Sequence, residues 1–164
     1  MRIVVMRLAV LLSTASLQTL AVAGPIHDAA KAGKAEQVEH LIAAGTAVDE
    51  KDNADKTALH WAADAGHLDV ARMLVAKGAD VDAKDFQDET PLSYAVWEAH
   101  EDIVELLIWK GADVNKKNAN DERILDDAVR RGRKGIAEKL LRAGAKCGTN
   151  HAYSQVCNRE VGKN

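Results

Sequence analysis

Gly45, Gly78, Gly111 and Gly144 stand 33 residues apart, and this spacing restricts the fold more than any other property of the chain. Thr57 and Thr90 fall on the same grid, as do Ile26, Leu59, Leu92 and Leu125. Gly33, Gly66 and Gly132 occupy a further register, with Ala99 in the slot between. A period of this length means one supersecondary unit used repeatedly. A single unit cannot cover its own apolar face, so neighbours must stack.

The unit reads as a pair of helices. Thr90 suits an N-cap and Pro91 a first helical residue, where the missing N–H has no partner to lose. Leu92, Ala95 and Val96 then share one face at helical spacing. After His100-Glu101-Asp102, Ile103, Leu106 and Leu107 do the same in a second helix. Gly111 ends that helix, and the following Gly-Ala-Asp-Val-Asn run enters an extended turn. Composition agrees: 47% of residues are apolar but only 4% aromatic, which suits close-packed helices better than an aromatic-rich sandwich. The expected fold class is all-α.

At this level of detail the sequence resembles the ankyrin-repeat family. The second repeat runs DNADKTALHWAADAGHLDVARMLVAKGADVDAK from Asp52, and the third DFQDETPLSYAVWEAHEDIVELLIWKGADVNKK from Asp85. The Thr-x-Leu-His, Gly-His and Gly-Ala-Asp segments carry the likeness. It implies a solenoid of stacked helix-turn-helix units with hairpin loops, divided at about 24–51, 52–84, 85–117 and 118–147. The first unit begins directly with its helix, and Lys31, Lys34, Glu36, Gln37 and Glu39 give it the polar character of an end cap. The fourth replaces threonine, proline and histidine with Arg123, Ile124 and Asp126, so it reads as a degenerate cap. Residues 148–164 form a tail.

Residues 1–23 read as a signal peptide. Arg2 and Arg7 open it, an apolar stretch starts at Leu8, and Ala21-Val22-Ala23 is a small-residue cleavage site before Gly24. A membrane anchor is the alternative, but Ser13, Thr14, Ser16, Gln18 and Thr19 interrupt the stretch well short of the roughly 20 residues a span needs. The expected product begins at Gly24 and is exported to a periplasm or the extracellular space, without stable membrane insertion. Beyond residue 23 the chain has 20 basic and 25 acidic residues, a mild acidity that argues against a nucleic-acid partner.

His60 stands one turn from Asp64 and invites a catalytic reading. In the resembled family the matching histidine bonds locally, and Thr57 lies three residues before it. His60, Ser93 and Asp126 form a triad only on paper, since equivalent positions in stacked repeats lie roughly 10 Å apart. No catalytic residue, metal site or cofactor is expected. Cys147 and Cys157, the only cysteines, are a candidate disulfide in an oxidising compartment, with free thiols or a zinc site including His151 as alternatives. Arg130, Arg131, Arg133 and Lys134 form the one basic cluster, either a solvated cap surface or a patch for an acidic or phosphate-bearing partner.

The resemblance implies binding of a protein partner through hairpin tips and the exposed side of the first helices. Carried over position by position, the candidates are Lys56 and Asp64 in the second repeat, Phe86, Gln87, Glu89, Trp97 and Glu98 in the third, and Asn120, Arg130 and Arg131 in the fourth. Phe86, the sole phenylalanine, sits in a polar hairpin and Trp97 at a groove position; both are candidate anchors, or else pack on neighbouring elements. Trp61 reads as a packing residue and Trp109 as convex surface. The expected function is therefore a monomeric, non-catalytic interaction module. A secreted effector acting on a host protein, and an enzyme, are the alternatives.

Overall fold

The computed structural model describes residues 24–147. Eight helices follow in chain order: α1 (Pro25–Lys31), α2 (Ala35–Ala43), α3 (Ala58–Ala65), α4 (Leu68–Ala76), α5 (Pro91–Trp97), α6 (Glu101–Trp109), α7 (Ile124–Arg130) and α8 (Lys134–Arg142). They form four antiparallel pairs. The first helices stack in the order α1, α3, α5, α7 and the second helices in the order α2, α4, α6, α8. Among the described residues there is no strand, only an isolated bridge between Lys117 and Arg123. The fold is an all-α repeat solenoid, as the period requires.

The core is the grid made solid. Ile26, Leu59, Leu92 and Leu125 are at most 1% exposed, and Leu74, Leu107 and Leu140 are fully buried between the two layers. Ala62, Ala95 and Ala128 are fully buried too, and their small side chains let adjacent first helices approach closely. At the amino-terminal end Lys31, Lys34, Glu36, Gln37 and Glu39 are all exposed. That end meets solvent with charge.

Local chemistry starts each helix. Thr57 is extended at the N-cap of α3, its N–H donating to His60 Nδ1 at 3.1 Å and its hydroxyl 2.9 Å from the same atom. His60 Nε2 donates in turn to the Glu89 carbonyl of the next repeat, at 3.2 Å. Thr90 repeats the capping arrangement with Ser93, and Pro91 fills the first turn of α5. Arg123 holds the same extended geometry before α7 but caps with no side-chain bond; the degenerate repeat keeps its hairpin because Asn118 remains. Asn118 Oδ1 accepts from the Asn120 and Glu122 amides at 3.0 Å each, as Asp52 does for Ala54 and Lys56 and Asp85 for Gln87 and Glu89.

Three further bonds tie neighbouring hairpins. Asp49 accepts from the Asp80 amide, Asp82 from the Asp113 amide and Asn115 from the Lys146 amide, at 3.0, 3.0 and 2.8 Å. At the tips, the Phe86 amide donates to the Ala54 carbonyl at 3.2 Å and the Ala119 amide to the Gln87 carbonyl at 3.0 Å. Backbone groups left over by one hairpin are thus satisfied by the next.

The first helices are tied at their far ends as well. His67 Nε2 bonds the Lys31 carbonyl at 3.0 Å, His100 Nε2 the Asp64 carbonyl at 3.1 Å, and Arg133 the Trp97 carbonyl at 3.3 Å. This explains the break in the glycine register. A Cβ on Gly33 or Gly66, both at positive φ, would sit 2.7 or 2.5 Å from the imidazole stacked above. Ala99 also has positive φ, 63°, but the residue reaching over it is Arg133, which leaves room for a methyl group.

Candidate functional site

The first helices present two rows of side chains on the face beside the hairpins. One row, spaced by the repeat, is Trp61, Tyr94 and Asp127; the other is Lys31, Asp64, Trp97 and Arg130. Helical spacing brings the rows together one turn apart, so Tyr94 and Trp97 meet edge to face with centroids 5.0 Å apart. Such contacts fix ring orientation as well as adding attraction.

Each aromatic is anchored by a carboxylate. Trp61 Nε1 donates to Asp52 at 2.9 Å, the Tyr94 hydroxyl to Asp85 at 2.7 Å, and Trp97 Nε1 to Asp127 at 3.0 Å. The first two bonds join a helix to its own hairpin. The third crosses from α5 to α7. Partial burial pushes the Asp52 carboxyl up, but the Lys56 and Ala54 amides and the Trp61 indole outweigh it and hold the group below its ordinary value. Burial, and then the bond to Asp85, drive the Tyr94 hydroxyl well above the usual phenol range, so it stays a donor.

Cations cover the rings. Lys31 and Lys56 lie 4.5 and 4.6 Å from the centre of Trp61, Lys56 also lies 4.4 Å from Tyr94, and the Arg131 guanidinium lies 5.4 Å from Trp97. These distances fall within cation–π range. The surface is therefore a run of oriented aromatics with positive charge above them and carboxylates at their edges.

The sequence-derived candidates divide on this surface. Lys56, Asp64 and Trp97 are half-buried, and Gln87, Glu98, Asn120, Arg130 and Arg131 are exposed. Phe86 is 64% exposed at its hairpin tip, while its backbone amide is held by Ala54. Arg130 pairs with Asp127, the carboxylate that also holds Trp97. Glu89 is buried: it is only 6% exposed and accepts from Asn118 Nδ2 at 2.7 Å. Burial raises its carboxyl above the ordinary value despite bonds from Ser93 and Asn118. Trp61 packs against the core, as expected, and is partly exposed on the same face. Asp52, Asp85 and Asp127 escaped sequence reading, although the 33-residue recurrence of Asp52, Asp85 and Asn118 was a signal for a shared turn role. Trp109 is 77% exposed on α6, with Lys110 over its ring.

Chemically the surface suits recognition by contact. A crevice beside Glu89, Asn118 and Asp127 has a volume of about 10 Å³, room for roughly one water molecule. Both nitrogens of His60 are engaged, by Thr57 and by the Glu89 carbonyl, and burial lowers its pKa to about 4. Among the described residues no cluster of His, Cys, Asp or Glu is arranged to hold a metal ion, and no helix is long and apolar enough to cross a membrane. Cys147 closes the described chain, its carbonyl accepting from Arg123 at 3.1 Å; Cys157, its candidate partner, lies outside the described residues, as do residues 1–23 and the tail.

A family model described as ankyrin repeats (3 copies) matches residues 26–118, more than half of the chain. No curated protein matches it. Helix pairs, hairpin ties and family match agree: this chain belongs to the ankyrin-repeat family, whose repeats mark a protein–protein interaction module.

Proposed function

We propose that the protein is exported, released after Ala23, and binds a protein partner as a monomer through the face built by the first helices and hairpin tips, without catalysing a reaction. The observation that carries this reading is the pre-oriented aromatic set. Trp97 is held by Asp127 and edged by Tyr94, and Phe86 projects from a hairpin whose backbone is tied to its neighbour. Aromatics with few rotatable bonds and fixed surroundings lose little entropy on binding, which is why they dominate hot spots.

The charges beside them favour a partner of mixed sign. Asp64 and Arg130 hold the positions equivalent to Trp97 in the adjacent repeats, Glu98 follows Trp97 and Arg131 lies over its ring, so a complementary surface would carry both basic and acidic groups. In an oxidising compartment a Cys147–Cys157 bond would hold the tail to the last helix pair.

The test is affinity capture from the compartment in which the mature protein is found, with wild type and a Phe86→Ala, Trp97→Ala double variant as baits. Loss of a specific partner from the double variant, with unchanged helical circular dichroism, supports the site. Equal recovery of the same partner by a folded double variant rejects it. Finding the chain with residues 1–23 still attached rejects export.

A further inference from the structure

The first helix starts on a residue unlike its counterparts. Thr57 and Thr90 cap α3 and α5, and the same grid position before α1 is Gly24. In the second repeat the Thr57 amide and hydroxyl both reach His60 Nδ1. His27 is the counterpart of His60 and as deeply placed, at 1% exposure. Its Nε2 donates to the Glu50 carbonyl at 2.8 Å, which leaves Nδ1 of the neutral ring as an acceptor. That acceptor is buried and has no hydrogen-bond partner. A buried polar atom without a partner is destabilising and rare enough to require a reason.

The surroundings of Gly24 indicate which donor fits. A Cβ on Gly24 would lie 2.9 Å from Glu50 Oε1 and 3.2 Å from His27 Nδ1. Threonine, which serves at residues 57 and 90, would need the exposed Glu50 side chain to move away. The glycine is instead flanked by a carboxylate oxygen and an imidazole lone pair, a combination suited to an ammonium group with three donors and one charge. A peptide N–H at Gly24 offers one donor in a direction fixed by the preceding residue, and no charge. Pro25 follows at the first helical position and has no N–H to compete for either acceptor. The positive end of the helix dipole opposes a cation here, so Glu50 is the group that makes one tolerable.

We propose that the α-ammonium group released at Gly24 by hydrolysis of the Ala23–Gly24 bond docks in this site, donating to His27 Nδ1 and pairing with Glu50. The inference rests on the export reading with cleavage after Ala23. Water adds across the amide, the carboxylate leaves on Ala23, and the new amine takes up a proton, because an ordinary α-amino group has a pKa of about 7.7–8.0. Processing then supplies the cap that threonine supplies to α3 and α5. The uncleaved chain has a less stable first repeat than the mature one, so removal of the leader tightens the solenoid at its open end.

The experiment begins with the full-length chain expressed in an exporting bacterial host and weighed intact. In parallel, a chain released at Gly24 from a cleavable fusion is compared free and Nα-acetylated, in wild type and Glu50→Gln, by thermal unfolding and by the ¹⁵N resonance of His27 Nδ1. Acetylation restores the single N–H of a peptide and removes the charge. The expected results are an exported mass that begins at Gly24, a Tm lowered by about 2–4 °C on acetylation of wild type, a much smaller loss in Glu50→Gln, and a shifted His27 Nδ1 resonance. If Glu50→Gln does not fold, the wild-type resonance decides. Retention of residues 1–23, or a different start, overturns the export reading and this inference together. Cleavage at Gly24 with identical Tm and His27 resonance for free and acetylated chains overturns the inference alone.

Discussion

His60 illustrates how a buried polar residue couples stability to pH. It bonds Thr57 twice and the Glu89 carbonyl once, and burial lowers its pKa to about 4 from 6.5. The unfolded chain therefore binds a proton between those values that the folded chain refuses. The contribution is full above pH 6.5 and is lost as pH falls through that window to about 4, by about 3 kcal/mol at most. Urea titrations at pH 7 and pH 4.5 should show this slope in wild type and a flatter one in His60→Gln. His60→Ala should cost about 2–4 kcal/mol at pH 7, because it leaves the buried Thr57 amide without its acceptor and opens a cavity in the core. Glu89 has the opposite sign. Its carboxyl is raised, chiefly by burial, so its ionised form opposes folding above the ordinary carboxylate pKa. Glu89→Gln keeps an acceptor for Asn118 and should raise the urea midpoint at pH 7, with the gain vanishing as pH falls below about 4. A lowered midpoint at pH 7 would contradict this account.

The elements were legible where a local pattern dictates them. Leu92, Ala95 and Val96 lie at helical spacing, Pro91 opens α5, and the recurring glycines end helices, so helix pairs followed from the chain alone. What crosses from repeat to repeat was not legible. The bond from Trp97 to Asp127 spans 30 residues, and the grid gives only the distance between equivalent positions, not the reach of an indole into the next unit. Glu89 looked like a hairpin-tip residue because the segment is polar, yet it lies at the hairpin's base under Asn118. The glycine register carries its own test of helix stacking. Gly66→Ala should lose at least about 1 kcal/mol, since the methyl meets His100 and the backbone is left-handed. Ala99→Gly should be neutral or gain up to about 1 kcal/mol, because only the left-handed strain is relieved. Chemical denaturation of the two variants decides, and equal losses would remove the explanation given for the alanine.

Across the whole molecule, charge and stability vary along the stack. The third repeat, 85–117, has three basic and eight acidic side chains, net −5, whereas residues 118–147 have eight basic and five acidic, net +3. The same fourth repeat lacks a side-chain cap on α7 and, among the described residues, packs on one neighbouring repeat. In a quasi-one-dimensional stack, stability is the sum of each unit and its interfaces, so this end opens before the interior repeats. Native-state hydrogen exchange should find the amides of α7 and α8 exchanging at lower free energy than those of α3 and α5. Asp82→Ala should lower the exchange free energy of α5 and α6 relative to α3, because Asp82 in the second repeat accepts from the Asp113 amide and pairs with Lys116 in the third. The loss, about 1 kcal/mol, should fall on the third and fourth repeats and leave α1 and α2 unchanged. A uniform loss over all four repeats would mean that the solenoid unfolds as one unit, and Asp127, with Trp97 on one side and Arg130 on the other, would be the first place to look for what couples it.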